Sequence, residues 1–145
     1  MKTIKKKLSL MLGTFVLATA VIAPASANAA EYRAEVEENN NYSQSQYVPN
    51  AGDWLFPTLT DGDRDYFNTV NHYGYTRTYT VIVQSPKGYD YNPSISVSNG
   101  QIFPVATKPG YYRYDVTAQP DARIDVGISS ANGQYSSKTY FVLFQ

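Results

Sequence analysis

The sequence predicts an all-β domain, an antiparallel sandwich or a barrel with about eight strands. All fourteen tyrosines lie after residue 29, where Val, Ile and Thr are frequent, and this composition favours strands. Several segments alternate polar and apolar residues with a period of two, and turn dipeptides separate them at intervals of roughly 8 to 12 residues. No long segment has the helical period of about 3.6 residues, so we expect no long helix.

The first 29 residues have the layout of a secretory signal peptide. Four lysines lie between Met1 and Lys7, an apolar run from Leu8 to Ala23 follows, and small residues end the segment. The alanine pattern predicts cleavage before Ala30, with an alternative site after Ala27. The apolar run has roughly 16 residues, which is shorter than the roughly 20 that a membrane-spanning helix needs. We therefore expect a secreted, extracellular protein with no membrane anchor in its mature form.

Residues 30–145 have the size of a single domain, so we expect one β-sandwich or barrel with nothing between it and the signal peptide. This part carries 8 basic and 12 acidic residues, and its negative charge argues against nucleic acid or an anionic membrane as a partner. The chain has no cysteine, which excludes disulfides, thiolate metal sites and a cysteine nucleophile. A lysine-rich signal before a disulfide-free domain favours a Gram-positive bacterium as the source.

The strands follow in order along the mature chain. The polar segment from Glu31 to Asn50 predicts a short strand and then a loop. Clear alternation predicts strands at Arg77–Ser85, Tyr111–Ala118, Ala122–Ile128 and Lys138–Gln145, and weaker patterns predict strands at Asp53–Leu59, Tyr66–Val70, Ser94–Ser98 and Gln101–Ala106. Turn dipeptides between them are Lys87-Gly88, Asn99-Gly100, Pro109-Gly110, Pro120-Asp121 and Asn132-Gly133.

The alternation also predicts which side chains face the core. One face of each clear strand is apolar, and the opposite face carries charged or hydroxyl side chains. The expected core positions are Tyr79, Val81, Val83, Tyr112, Tyr114, Val116, Ala122, Ile124, Val126, Ile128, Tyr140, Val142 and Phe144.

The supply of catalytic residues is poor, and we expect that the protein is not an enzyme. His72 is the only histidine and lies in a predicted turn, and neither a G-x-S-x-G nor an H-E-x-x-H motif is present. Paired carboxylates could serve a glycosidase, but such enzymes are usually larger and need a deep cleft.

Two acidic clusters are candidates for a calcium site. Glu35 and Glu37 point to one side of an extended segment that continues into asparagines, and Asp61, Asp63 and Asp65 alternate in the same way. Oxygen ligands from two segments suit calcium, which takes six to eight oxygens in a flexible geometry. The second cluster is not an EF-hand loop, because Gly and Glu are missing from its sixth and twelfth positions. The alternative is that both clusters are ordinary solvated turns.

The same motifs resemble the bacterial pre-peptidase C-terminal (PPC) domain family. That family opens with an E-x-E-P-N-[ND] stretch, continues through a D-x-D-Y-F element and closes with G-x-Y-x-[VL]-x-V-type strands. The matching segments here are Glu35–Asn40, Asp63–Phe67, Pro109–Val116 and Thr139–Leu143, which span most of the mature chain. The resemblance implies a β-sandwich of jelly-roll type.

The resemblance also implies a calcium site, because the collagen-binding relatives of this family in collagenases bind calcium through the two acidic segments. The residues that match are Glu35, Glu37, Asn39, Asn40, Asp63 and Asp65, with Asp61 as a substitute for Asp63. Glu38 stands where the family usually has proline, which loosens the turn. A second departure is that these domains normally follow a secreted peptidase, whereas here the domain directly follows the signal peptide.

The tyrosines indicate a second kind of site. Aromatic side chains on a sheet face can form a flat platform for sugars or for a fibrous protein such as collagen. The candidates are Trp54, Tyr73, Tyr75, Tyr89, Tyr91 and Tyr111. The alternative is that these rings fill the core or pair across strands.

Together these observations predict a calcium-stabilised binding module for an extracellular polysaccharide or protein. Two other readings remain open. One is a structural or matrix protein that self-associates through strand edges, and the other is a small secreted enzyme or inhibitor. The sequence does not indicate the ligand or the oligomeric state.

Overall fold

The computed structural model describes residues 30–145, and the predicted signal peptide lies outside the described residues. The strands are β1 (Tyr32–Arg33), β2 (Gln46–Tyr47), β3 (Trp54–Leu55), β4 (Thr58–Leu59), β5 (Asp65–Val70), β6 (Arg77–Gln84), β7 (Tyr91–Val97), β8 (Gly100–Lys108), β9 (Tyr111–Ala118), β10 (Arg123–Ser130), β11 (Ser136–Thr139) and β12 (Phe141–Phe144). One short 3-10 helix, Tyr42–Gln44, precedes β2. In this part of the chain, no helix is long and apolar enough to cross a membrane.

Two sheets form the predicted sandwich. A six-stranded sheet has the order β1-β3-β12-β6-β9-β8, and a four-stranded sheet has the order β2-β5-β10-β7. β11 and β4 form a further small antiparallel pair. Most pairs are antiparallel, while the two-residue strands β1 and β2 pair in parallel with β3 and β5. The all-β sandwich is thus confirmed, and its eight strands of four or more residues agree with the expected number.

The core lies between the two large sheets and is lined by the positions that the alternation predicts. On β10, Ile124, Val126 and Ile128 are buried, while Arg123 and Asp125 face outward. The expected core positions of β6, β9 and β12 are buried or pack against the buried residues. Tyr112 and Tyr114 are half-buried at the margin of this core.

Two predicted strands are each divided in the structure. The segment 53–59 forms β3 and β4, separated by Phe56 and Pro57. The segment 138–145 contains the end of β11, which begins two residues earlier at Ser136, and β12, with Tyr140 between them. Proline has no backbone N–H to give to a sheet, which explains the first interruption. The second lies beside it, because the Tyr140 N–H donates to the Pro57 carbonyl at 2.9 Å. The chain therefore changes sheets at both points.

Candidate metal site and ligand-binding surfaces

The fold brings the two acidic segments together. Segment 35–41 follows β1, and segment 61–65 connects β4 to β5. The Tyr66 N–H donates to the Asn39 carbonyl at 3.0 Å, which ties the segments at their centre. The Glu35 carboxylate also accepts from the Thr58 N–H at 3.0 Å. Residues that the sequence placed in two clusters therefore form one surface region, which we call the acidic site.

Two oxygens at the base of the acidic site are buried without a partner. Asn39 and Asp65 both have no exposed area. Asp65 Oδ2 accepts from the Tyr140 hydroxyl at 2.5 Å, and Asn39 Nδ2 faces Glu35 Oε1 at 3.4 Å. Asp65 Oδ1 and Asn39 Oδ1 have no hydrogen-bond partner among the described residues. Unpaired buried acceptors are costly, so these two atoms call for a donor or a cation.

The acidic site also concentrates negative charge. Burial raises the pKa of Asp65 to about 9. The Tyr140 hydrogen bond opposes this rise, whereas the nearby charges of Glu35 and Asp63 and a hydrogen bond from the protonated Asp65 to the Glu35 side chain add to it. Partial burial and the same kind of repulsion, from Glu35 and Asp63, raise the pKa of Glu37. Burial and the Asp65 carboxylate raise the pKa of Tyr140 well above its ordinary value, so its hydroxyl remains a donor. A cation would relieve this repulsion.

An open cavity of about 410 Å³ lies at the surface of the acidic site. Glu37, Asn40, Asp61 and Asp63 line it, together with the turn at Gly62. Gly62 adopts a φ of 78°, a conformation that glycine takes without strain. The Asn40 amide faces Asp63, and with its nitrogen on that side it donates to Asp63 Oδ1 at 2.5 Å. All seven predicted ligands thus lie in or beside one region, with Asp61 at its exposed rim.

The donor set fits a hard cation such as calcium. It consists of carboxylate and amide oxygens, which calcium prefers. Within residues 30–145, no three carboxylate, histidine or cysteine side chains converge closely enough to hold a metal by themselves. A cation here would therefore need amide oxygens as well, and Asn39 Oδ1 and Asp65 Oδ1 are the buried oxygens without an acceptor contact that it could use.

Tyr140 belongs to the acidic site although the sequence did not indicate it. The expected pattern placed Tyr140 on the buried face of the last strand, which is correct. Its hydroxyl, however, reaches Asp65, which is 75 residues away in the chain. Only the change of sheets at Tyr140 creates this contact, and no local pattern signals it.

The six predicted ligand-binding aromatics do not form one platform. Tyr91 is fully buried and packs edge-on against Tyr140, with ring centroids 5.4 Å apart, so its predicted place on a binding surface is wrong. Tyr89 is half-buried and packs against the core beside Tyr91. Tyr111 is half-buried too, with Lys108 Nζ 5.3 Å from its ring centroid.

The other three aromatics lie in two separate surface groups. Tyr73 and Tyr75 are exposed neighbours with centroids 5.5 Å apart, and the Arg77 guanidinium lies 4.6 Å from the Tyr73 centroid. Trp54 stacks on Phe56 at 6.4 Å with an interplanar angle of 11°, next to β1. A single flat platform made of all six rings is therefore absent.

The fold and the paired acidic segments define the class: a two-sheet β-sandwich module with an oxygen-rich site at its surface. Neither a scan against protein-family models nor a search of curated proteins finds a match. Among solved structures, the fold is similar to the pre-peptidase C-terminal domain of collagenase from Bacillus anthracis, with a TM-score of 0.53 and 12% sequence identity. The alignment covers 70% of this chain and 94% of the collagenase domain. The resemblance noted in the sequence is confirmed at the level of the fold.

Proposed function

We propose that the protein is a secreted β-sandwich module that is stabilised by calcium and binds an extracellular polysaccharide or protein. The observation that carries the calcium proposal is the pair of buried, unpartnered oxygens, Asn39 Oδ1 and Asp65 Oδ1, at the base of the acidic site. The layout of the first 29 residues supports secretion.

The residues that would hold calcium come from both acidic segments. Asn39 and Asp65 offer oxygens from the buried side, and Glu37 and Asp63 offer carboxylates from the cavity. A bound calcium supplies positive charge that fastens the segment before the 3-10 helix to the start of β5. Without a cation, Asp65 retains a proton near neutral pH, because its pKa is raised to about 9.

The surface supports binding rather than catalysis. His72 is exposed, its Nε2 lies 2.8 Å from the Tyr47 hydroxyl, and no acidic side chain is hydrogen-bonded to its ring among the described residues. Several large aromatic side chains are exposed instead, including Tyr32 at 81% and Tyr75 at 61%. Exposed aromatic rings are typical of surfaces that bind sugars or proteins.

The test is thermal unfolding of the purified protein in excess calcium, in excess magnesium and in a chelator. A ligand that binds only the folded state at a hundred times its dissociation constant adds about 2.7 kcal/mol, which raises the Tm of such a domain by several degrees. We expect this shift with calcium, and expect Asp65→Asn to abolish it.

Asp121→Asn is the matched control, because Asp121 is an exposed residue in the turn before β10 and its φ of 60° suits asparagine. This variant should keep the full calcium shift. An identical Tm in calcium and in chelator would show that the acidic segments are solvated turns and would refute the calcium part of the proposal.

A further inference from the structure

The outer face of the four-stranded sheet carries a shallow, open cleft of about 720 Å³, whose lining residues differ from those of the cavity at the acidic site. The 3-10 helix forms one side of the cleft through Tyr42 and Ser43. The edge strand β7 forms the other side through Ser96. Between them, Arg123 and Asp125 of β10 form the floor. Sequence patterns did not identify these residues as a site.

Two tyrosines in a tilted contact, the inner one packed on a glycine, form the wall of the cleft. Tyr66 lies over Gly127 of the neighbouring strand, where an added Cβ would come within 2.7 Å of the Tyr66 ring. Tyr42 packs on Tyr66 with ring centroids 4.6 Å apart and remains 46% exposed. The Asn41 side chain caps the helix by accepting from the N–H groups of Ser43 and Gln44. The aromatic wall is therefore held in place before any ligand arrives.

Short side chains make the β7 side of the cleft shallow. On β7 the outward positions are Asn92, Ser94 and Ser96, all exposed, while the positions between them face the core. Ser94 is paired with Gly127, and Ser96 is paired with Asp125. A ligand can therefore lie across β7 and β10 and still reach the Tyr42 ring.

The floor of the cleft is an ion pair between Arg123 and Asp125, which offers hydrogen-bond donors and acceptors but has no net charge. Arg123 Nη2 lies 2.6 Å from Asp125 Oδ1, and the same nitrogen donates to Ser45 Oγ at 2.8 Å. Arg123 also contacts the Tyr42 carbonyl at 3.3 Å, so the wall and the floor are connected. The pairing neutralises the guanidinium, which makes the cleft a weak site for anions.

We propose that this cleft binds a neutral glycan. This proposal rests on the proposed function and specifies the class of the extracellular ligand. Sugar hydroxyls both donate and accept, as the serine, arginine and aspartate groups here require. The C–H face of a sugar ring packs on an exposed aromatic ring such as that of Tyr42. The site is wide and shallow and its charged pair is neutralised, so it suits an extended neutral ligand that lies across β7 and β10.

The test measures binding of neutral hexasaccharides by isothermal titration calorimetry, with cellohexaose, maltohexaose and the hexamer of N-acetylglucosamine as probes. Gelatin serves as a protein probe. We expect at least one hexasaccharide to bind. Tyr42→Ala, Asp125→Asn and Ser96→Trp should each weaken that binding at least about tenfold, which corresponds to about 1.4 kcal/mol. Ser96→Trp blocks the cleft at an exposed strand position where an aromatic residue is well tolerated.

Each control variant changes a chemically similar residue that lies outside the cleft. Arg113 and Asp115 on β9 repeat the spacing of the floor pair on the other sheet, at 3.7 Å, so Asp115→Asn is the control for Asp125→Asn. Phe103→Ala, at an exposed aromatic residue of β8 on the other sheet, is the control for Tyr42→Ala. Both controls should bind the hexasaccharide with unchanged affinity. Thermal unfolding of every variant separates a lost site from a lost fold.

Three outcomes would contradict the glycan proposal, and they can be told apart. Binding of gelatin but of no hexasaccharide would leave the proposed function standing with a protein ligand. If a hexasaccharide binds and the three cleft variants do not weaken that binding, the glycan site lies elsewhere on the protein. Absence of binding to every probe, with an intact calcium shift in Tm, would refute the glycan site and leave only the calcium proposal.

Discussion

The Tyr140 hydroxyl donates to Asp65 Oδ2 at 2.5 Å, and both side chains are buried. Tyr140 lies between β11 and β12, where the chain leaves one sheet for another, and Asp65 is the first residue of β5. The contact therefore joins the acidic site to the core and leaves only Oδ1 of Asp65 open to a further partner. Stability of the sandwich and chemistry of the acidic site depend on the same pair.

Tyr140→Phe removes this donor and leaves both Asp65 oxygens buried without a partner. We expect the free energy of unfolding in chelator to fall by about 1 to 3 kcal/mol, the usual cost of such a loss. Urea unfolding measures it. Tyr114→Phe, which removes a hydroxyl from a half-buried tyrosine of β9, is the control and should change stability less. An equal effect in the two variants would show that the Tyr140–Asp65 contact adds nothing.

The raised pKa of Asp65 predicts a pH dependence of stability. Its pKa is about 9 in the folded protein, against about 3.9 in an unfolded chain. Between these values the folded state binds more protons, so the free energy of unfolding in chelator should fall as the pH rises. One proton contributes a slope of at most about 1.4 kcal/mol per pH unit.

Urea unfolding in chelator between about pH 5 and pH 8 compares the protein with Asp65→Asn, which cannot titrate. The free energy of unfolding of the unaltered protein, relative to that of Asp65→Asn, should fall as the pH rises. Excess calcium should reduce the pH dependence, because the cation replaces the proton. Parallel stability curves in chelator would mean that Asp65 titrates normally.

Local alternation was sufficient to predict the long strands and their inward faces. On β10, the outward Arg123 and Asp125 and the inward Ile124 and Val126 follow directly from the period of two. The interruption at Tyr140 was not predictable, because it depends on a hydrogen bond to Pro57 far away in the chain. The predicted turn at His72 shows a similar limit, because the buried amide of the preceding residue, Asn71, donates to three backbone carbonyls that no local pattern indicates.

The acidic site was visible in the sequence because its residue types are unusual in such density. The cleft was not visible, since charges two residues apart on a strand look like an ordinary solvated face. Arg123 gains its role from the contact with Tyr42, which is 81 residues away in the chain. The buried position of Tyr91 shows the opposite limit, because tyrosine composition alone does not separate core rings from surface rings.

Gly127→Ala should disturb the wall of the cleft. The added Cβ would approach the Tyr66 ring to 2.7 Å, so the ring must move and Tyr42 must move with it. We expect a loss of about 1 to 3 kcal/mol in the free energy of unfolding, as for other overpacked sites. Gly74→Ala is the control, because its Cβ would meet no atom within 4 Å. Equal stability of the two variants would show that Tyr66 gives way freely.

The long edge strand of each large sheet, β8 in one and β7 in the other, carries a proline, and this bears on the alternative of a self-associating matrix protein. β8 pairs only with β9 and exposes Phe103 at 48% and Val105 at 51%, features that invite pairing with a second chain. Pro104 stands between these residues, where the register is also irregular, and it offers no N–H to an incoming strand. β7 also contains a proline, Pro93, which is buried.

Pro104→Thr should therefore promote concentration-dependent association through the β8 edge, because it restores the N–H and adds a strand-forming residue. Sedimentation velocity over a range of concentrations measures this association. Pro120→Thr, in the turn before β10, is the control and should sediment as the unaltered protein does. If the unaltered protein already associates and Pro104→Thr changes nothing, then the proline does not protect this edge. The matrix-protein alternative would then gain support, because a second chain would pair with β8 even though residue 104 has no N–H to donate.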